Sequence, residues 1–381
     1  GSALDANTTG SNNVGIGMYA LSTNSTGSNN VALGYKAAYL TTTGVETVAV
    51  GGYALENNTT GDRNVAVGYK ALEANTTADN GVAVGYYALL KNTTGSNNTA
   101  LGRQALSQNV TGISNTAVGY NSLEGNTGDH NTGLGQGSLA ANTSGDRNVA
   151  VGSQTLDANT TGQYNTALGF NSLTSNTTAS NNTAVGKDAL ALNTTGADNT
   201  AVGIFSLDAN LTGDFNTAIG RHSLGGNTTG DKNVAIGGNA LLSNTTGDFN
   251  TAVGYNTLDA NTTADSNTAV GYSALIFNTT GTNNVAVGAV SLDANTTGDN
   301  NTAVGKSALG SNTTGEKNTA VGSQALAANT TGTENIAIGR DALYTNTTGN
   351  RNIGIGYDSL QSNNGADNVA VGYRSVRYTT S

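Results

Sequence analysis

Asn250-Thr251-Ala252-Val253-Gly254-Tyr255-Asn256-Thr257-Leu258 is followed by Asp259-Ala260-Asn261-Thr262-Thr263-Ala264-Asp265-Ser266. These seventeen residues are one unit, and the whole chain is that unit copied. Its glycine returns at Gly17, Gly34, Gly51 and onward to Gly339, Gly356 and Gly372, twenty-two times in all. Two steps, Gly119 to Gly135 and Gly356 to Gly372, are sixteen residues long. The lost residue falls in the Asn-Thr-Thr-Gly segment, which reads Asn126-Thr127-Gly128 and Asn363-Asn364-Gly365. Fixed-period self-similarity outranks every other reading of a sequence. It makes residues 1–381 a single repeat array.

Positions are numbered here from that glycine. Position −1 is always aliphatic, as in Val67 and Val253, and −3 is Val, Thr or Ile. Position −2 is Ala or Gly, and +1 is often Tyr. This alternation of period two, rich in β-branched residues, predicts a short strand. Leu at +4 (Leu72, Leu258) anchors a second short run, which also reads as a strand. The Asn-Thr-Thr-Gly that follows is turn chemistry, because Asn and Gly tolerate a left-handed backbone. Helix is excluded by the lack of 3.6-residue periodicity. The expected fold is therefore all-β: a parallel β-solenoid or β-roll of about 22 coils with 17 residues per coil.

Identical residues then stack into columns. Asn at −4 (Asn64, Asn216, Asn250) and at +7 (Asn159, Asn244, Asn261) predicts amide ladders that donate to one neighbour and accept from the other. Val253, Leu258, Val67 and Leu72 are the expected core. The Ala/Gly side of the strand is expected to be free, and to let a second chain approach closely. That predicts a homo-oligomer or lateral bundle.

The segments Asn64-Val65-Ala66-Val67-Gly68, Asn233-Val234-Ala235-Ile236-Gly237 and Asn335-Ile336-Ala337-Ile338-Gly339 resemble the head repeats of YadA-like trimeric autotransporter adhesins, with related repeats in phage tail fibres. The resemblance implies a left-handed parallel β-roll, a trimer and an extracellular or cell-surface location. This chain departs from the family in its longer period and longer Asn-Thr-Thr-Gly turn.

Composition narrows the function. The formal charge is −10, and the fifteen basic residues are scattered, so nucleic acid is not the expected partner. Cysteine is absent, which removes disulfides, thiolate metal sites and a cysteine nucleophile. No apolar run is long enough to span a membrane. The two histidines, His130 and His222, are isolated, and no nucleophile–base spacing or phosphate loop occurs, so an enzyme is not expected. No cofactor is expected. Acidic residues after the turn glycine (Asp62, Asp146, Asp214, Asp231, Asp248, Asp299, Glu316) would offer Ca²⁺ stacked oxygens, but the column is broken by Ser, Thr, Gln and Ala. Solvated turn charges are the plainer reading.

Asn-Thr-Thr also reads as an N-glycan acceptor, at Asn58, Asn92 and Asn278 among others. Threonine at −3, as in Thr166, Thr183, Thr200 and Thr217, raises ice binding, yet its face carries the invariant aliphatic and is expected to be buried. The leading expectation is an extracellular structural rod, an adhesin head or filament subunit that self-associates laterally or end to end. The first residue stands at +1 and the last at +9 with no capping segment, which favours a fibre. The alternative is a surface-binding module for ice or glycans, with a cell-surface ligand as partner.

Overall fold

A computed structural model describes residues 1–377. The chain forms two compact units, Gly1–Asp188 and Ala189–Ser381. The first holds eleven strands, from β1 (Val14–Ile16) through β4 (Val65–Val67) to β11 (Thr183–Val185). The second holds eleven more, from β12 (Thr200–Val202) through β15 (Thr251–Val253) to β22 (Val369–Val371). Within each unit, successive strands pair in parallel, one coil apart. Val48 lies beside Val65 and Val65 beside Val82 in the first, and Val234 beside Thr251 and Thr251 beside Thr268 in the second. The parallel β-solenoid is therefore as expected. The sixteen-residue coils keep the register, with Thr116 opposite Thr132 and Ile353 opposite Val369, so the missing residue is absorbed in the turn.

Three expectations fail. The first is the second strand. Each coil has one strand of three residues, and the Leu-bearing run is a chain of turns. Asn256 and Leu258 have φ of 52° and 53°, and the same two positions are positive in coil after coil. Such φ values are rare for a non-glycine residue. Here they let amides point alternately to both neighbours. Asn256 N–H donates to Gly238 O at 3.1 Å in the coil before, and Leu258 N–H to Ala274 O at 3.1 Å in the coil after. The backbone is satisfied between coils without extended pairing.

The second failure is the facing of the strand. Ala66 and Ala252 point inward and are fully buried. Val67 and Val253, expected in the core, are half-buried on the outer side. Leu72 and Leu258 are in the interior as expected. The reason is volume. Gly354 shows the space available at −2, since a Cβ built there would sit 3.2 Å from Leu343 Cγ. A narrow coil already filled by one leucine and two asparagines accepts Ala, not Val. The third failure follows from the second: the small-residue face is internal and is not open to a second chain.

The repeat glycine is required twice over. Gly254 has φ +138°, and a Cβ there would stand 2.4 Å from Gly271 O. No side chain fits between the coils at this corner.

Candidate interaction surface

Both asparagine columns are buried and bonded. At +7 the ladder is the expected amide-to-amide chain. Asn261 Nδ2 donates to Asn244 Oδ1 at 2.9 Å, Asn244 Nδ2 to Asn227 Oδ1 at 2.9 Å, and Asn159 Nδ2 to Asn142 Oδ1 at 2.8 Å. The second amide hydrogen holds the coil's own turn, as from Asn261 to Ala264 O at 3.0 Å. At −4 the main acceptor bond is to the backbone instead. Asn250 N–H donates to Asn233 Oδ1 at 2.9 Å, and Asn250 Nδ2 to Ala264 O at 2.8 Å. Asn216 and Asn64 repeat that pattern, with Gly81 N–H on Asn64 Oδ1 at 2.7 Å. Burying these asparagines costs little in most coils because their amides are bonded; Asn24 Oδ1, Asn109 Oδ1 and Asn346 Oδ1 are buried without a partner.

Asn58, Asn92 and Asn278 belong to the +7 ladder, so the glycan reading is corrected. Asn92 Nδ2 donates to Asn75 Oδ1 and Gly95 O, and Asn278 Nδ2 to Asn261 Oδ1 and Gly281 O. Asn58 Nδ2 holds Gly61 O while its Oδ1 accepts from Asn75. A sugar on these enclosed nitrogens would have no route to solvent.

Most of the acidic turn residues also serve the coil contacts. Asp62, Asp146, Asp214, Asp231, Asp248 and Asp299 each accept a backbone N–H of the preceding coil at 2.6–2.9 Å, as Asp248 does from Asp231. Glu316 is exposed. Among the described residues, no three His, Cys, Asp or Glu gather around a possible metal position, and no helix is long and apolar enough to cross a membrane. His222 stacks on Phe205 with ring centroids 5.1 Å apart. A different set of acids sits at +5. Burial pushes the carboxyls of Asp157, Asp259 and Asp293 above the ordinary range.

What faces outward is the strand. Its −1 column is Val, Ile or Leu in all 22 strands, and its −3 column is Val, Thr or Ile, so neither carries a charge. Ile16 is 58% exposed and Leu33 45%. In the first five strands −3 is valine throughout. Beside them lies an aromatic cluster at +1, +2 and +5. Tyr35 and Tyr53 meet edge to face at 5.2 Å, Tyr53 and Tyr69 at 5.8 Å, and Tyr69 stacks on Tyr86 at 5.7 Å. Lys36 lies over the rings of Tyr35, Tyr39 and Tyr53 and bonds Glu56 at 2.9 Å, which raises its pKa. The sequence shows the +1 tyrosines. The signal for the cluster was Tyr moving to +2 at Tyr19, Tyr53 and Tyr87, with Lys36 and Lys70 filling +2 between them.

No protein-family model matches the chain, and no curated protein matches it.

Proposed function

We propose that the chain is an extracellular structural element, an adhesin head or filament subunit, that joins further copies of itself through its outward strand face. The observation that supports this is the uncharged aliphatic column at −1, which lies on the outer side, half-buried in some coils and exposed in others, and is continuous within each unit. Contiguous exposed apolar surface of this kind marks an association surface. The first five strands suit it best, because Val14, Val31, Val48, Val65 and Val82 make the second column aliphatic too. A second copy is the partner with matching composition and matching repeat. The extracellular setting rests on the resemblance of Asn64–Gly68 and its counterparts to adhesin heads.

Sedimentation velocity at micromolar concentration tests the proposal. The native chain sediments as an oligomer, and Val65→Glu with Val67→Glu sediments as a monomer with an unchanged circular-dichroism spectrum. Both side chains point outward, so the coil tolerates the change. A native monomer at that concentration contradicts the reading.

A further inference from the structure

We infer that the threonine-bearing strands form a binding face for ordered water, with ice as the ligand. Five strands of the first unit and six of the second have Thr at −3. The structure turns this column outward, against the expectation that it would be buried. Thr99, Thr116 and Thr132 lie in register in the first unit, and Thr251 and Thr268 in the second. Each therefore repeats at the parallel-strand spacing of about 4.8 Å.

Coils with a strand threonine carry turn threonines as well, and the two sets use their hydroxyls differently. Those of the turn bond the next coil. Thr228 Oγ1 donates to Thr245 O at 3.0 Å, Thr245 Oγ1 to Thr262 O at 3.0 Å, and Thr296 Oγ1 to Thr313 O at 3.1 Å. Among the described residues, the strand threonine hydroxyls have no partner within the protein. They stand in a column beside the aliphatic −1 column, and no charge interrupts either. The charged residues lie at the corners and turns.

A column of unpartnered hydroxyls and methyls next to a column of aliphatics makes a specific demand on a partner. It must be neutral, periodic at the coil spacing, and able to donate and accept hydrogen bonds. Water held in a lattice meets all three conditions. Methyl groups order the water between the hydroxyls, and the hydroxyls anchor it. A dry contact with a second copy would leave buried hydroxyls unpaired, which is unfavourable. No such penalty applies to the all-valine strands, so self-association and ice binding use different coils. This inference does not depend on the self-association reading, and its variants lie in the other unit.

The experiment measures freezing-point hysteresis and adsorption of fluorescently labelled chain to a single ice crystal. Three proteins are compared: the native chain, Thr251→Lys with Thr268→Lys, and Asn283→Lys on an exposed turn. Circular dichroism checks that all three are folded, and sedimentation is run in the same buffer. The native chain and Asn283→Lys depress freezing and coat the crystal, while the double threonine variant does both measurably less, because two of the strand threonines of the second unit are lost. The inference is overturned if the folded native chain neither depresses freezing nor adsorbs. It is also overturned if the threonine variant keeps full activity, or if the native chain is inactive and the threonine variant dissociates an oligomer, which would assign the face to a second copy.

Discussion

The first five coils and the coils around Thr251 hold the same backbone by different means. Around Thr251 the +7 ladder runs unbroken from Asn227 through Asn244, Asn261 and Asn278 to Asn295. In the first coils it stops. Thr41 replaces an asparagine, and Asn24 Oδ1 and Thr41 Oγ1 are both buried without a hydrogen-bond partner in the protein. Thr47 replaces the −4 asparagine of that same turn and turns its hydroxyl to Asn30 Oδ1 at 2.8 Å. These coils carry the aromatic cluster and its lysines instead, with Lys70 over Tyr53 and Tyr69 and bonded to Glu73 at 3.0 Å. Aromatic and cation–π contacts of about 0.5–1.5 kcal/mol each are of the size needed to offset a lost side-chain hydrogen bond. The contrast shows that the coil geometry, not one particular bond, is what the repeat preserves.

The largest effect is expected where the ladder is whole. Asn261→Ala removes the donor to Asn244 Oδ1 and the acceptor of Asn278 Nδ2, both buried, at about 3 kcal/mol. Hydrogen exchange at the Thr245 and Thr262 amides, which bond across these coils, reads the loss as faster opening. Thr41→Ala, in the defective stretch, should change protection of its neighbours by less than about 1 kcal/mol. Equal effects at the two sites would break the contrast.

Thr41→Asn should go the other way. It reconnects Asn24 to Asn58 and supplies partners to buried polar atoms, for about 1–2 kcal/mol of local stabilisation. Slower exchange of the Thr42 amide is the expected result, and faster exchange would mean that the first coils cannot hold the ladder geometry.

Smaller still is the strain at +2. Val290 has φ 49°, in a region that a β-branched side chain disfavours. Val290→Asn, matching Asn256 at the same position, should raise the local unfolding free energy by about 0.5–1 kcal/mol.

The smallest effect is electrostatic. Burial raises the Asp259 carboxyl in the folded state, so the folded chain holds that proton more tightly than the unfolded chain. Its contribution to stability is complete below the ordinary carboxylate pKa of about 4 and is lost as pH rises through the raised value. Asp259→Asn should therefore gain slightly in melting temperature at pH 7 and show no gain at pH 3. A gain of equal size at both values would exclude the charge as its cause.

The seventeen-residue period made the coil, its parallel stacking and both asparagine columns legible in the sequence. The facing of the strand was not legible, because both sides read as apolar. Hydropathy ranks Val253 above Ala252 for burial, yet the space against leucine in a narrow coil admits only the smaller residue. The turn at Leu258 was hidden for a different reason: nothing in a leucine announces a positive φ. Among the candidate site residues, the column-forming asparagines of the glycan motif were legible as repeated, but their enclosure depends on that same turn.

Because the chain has no cysteine, a single introduced thiol reports its own position. Thr251→Cys, Ala252→Cys and Val253→Cys, each treated with a maleimide in the folded state, test the inverted facing most directly. Rapid labelling at 251 and 253 with protection at 252 is the expected result. Labelling at 252 with protection at 253 would contradict it and return the valine column to the core.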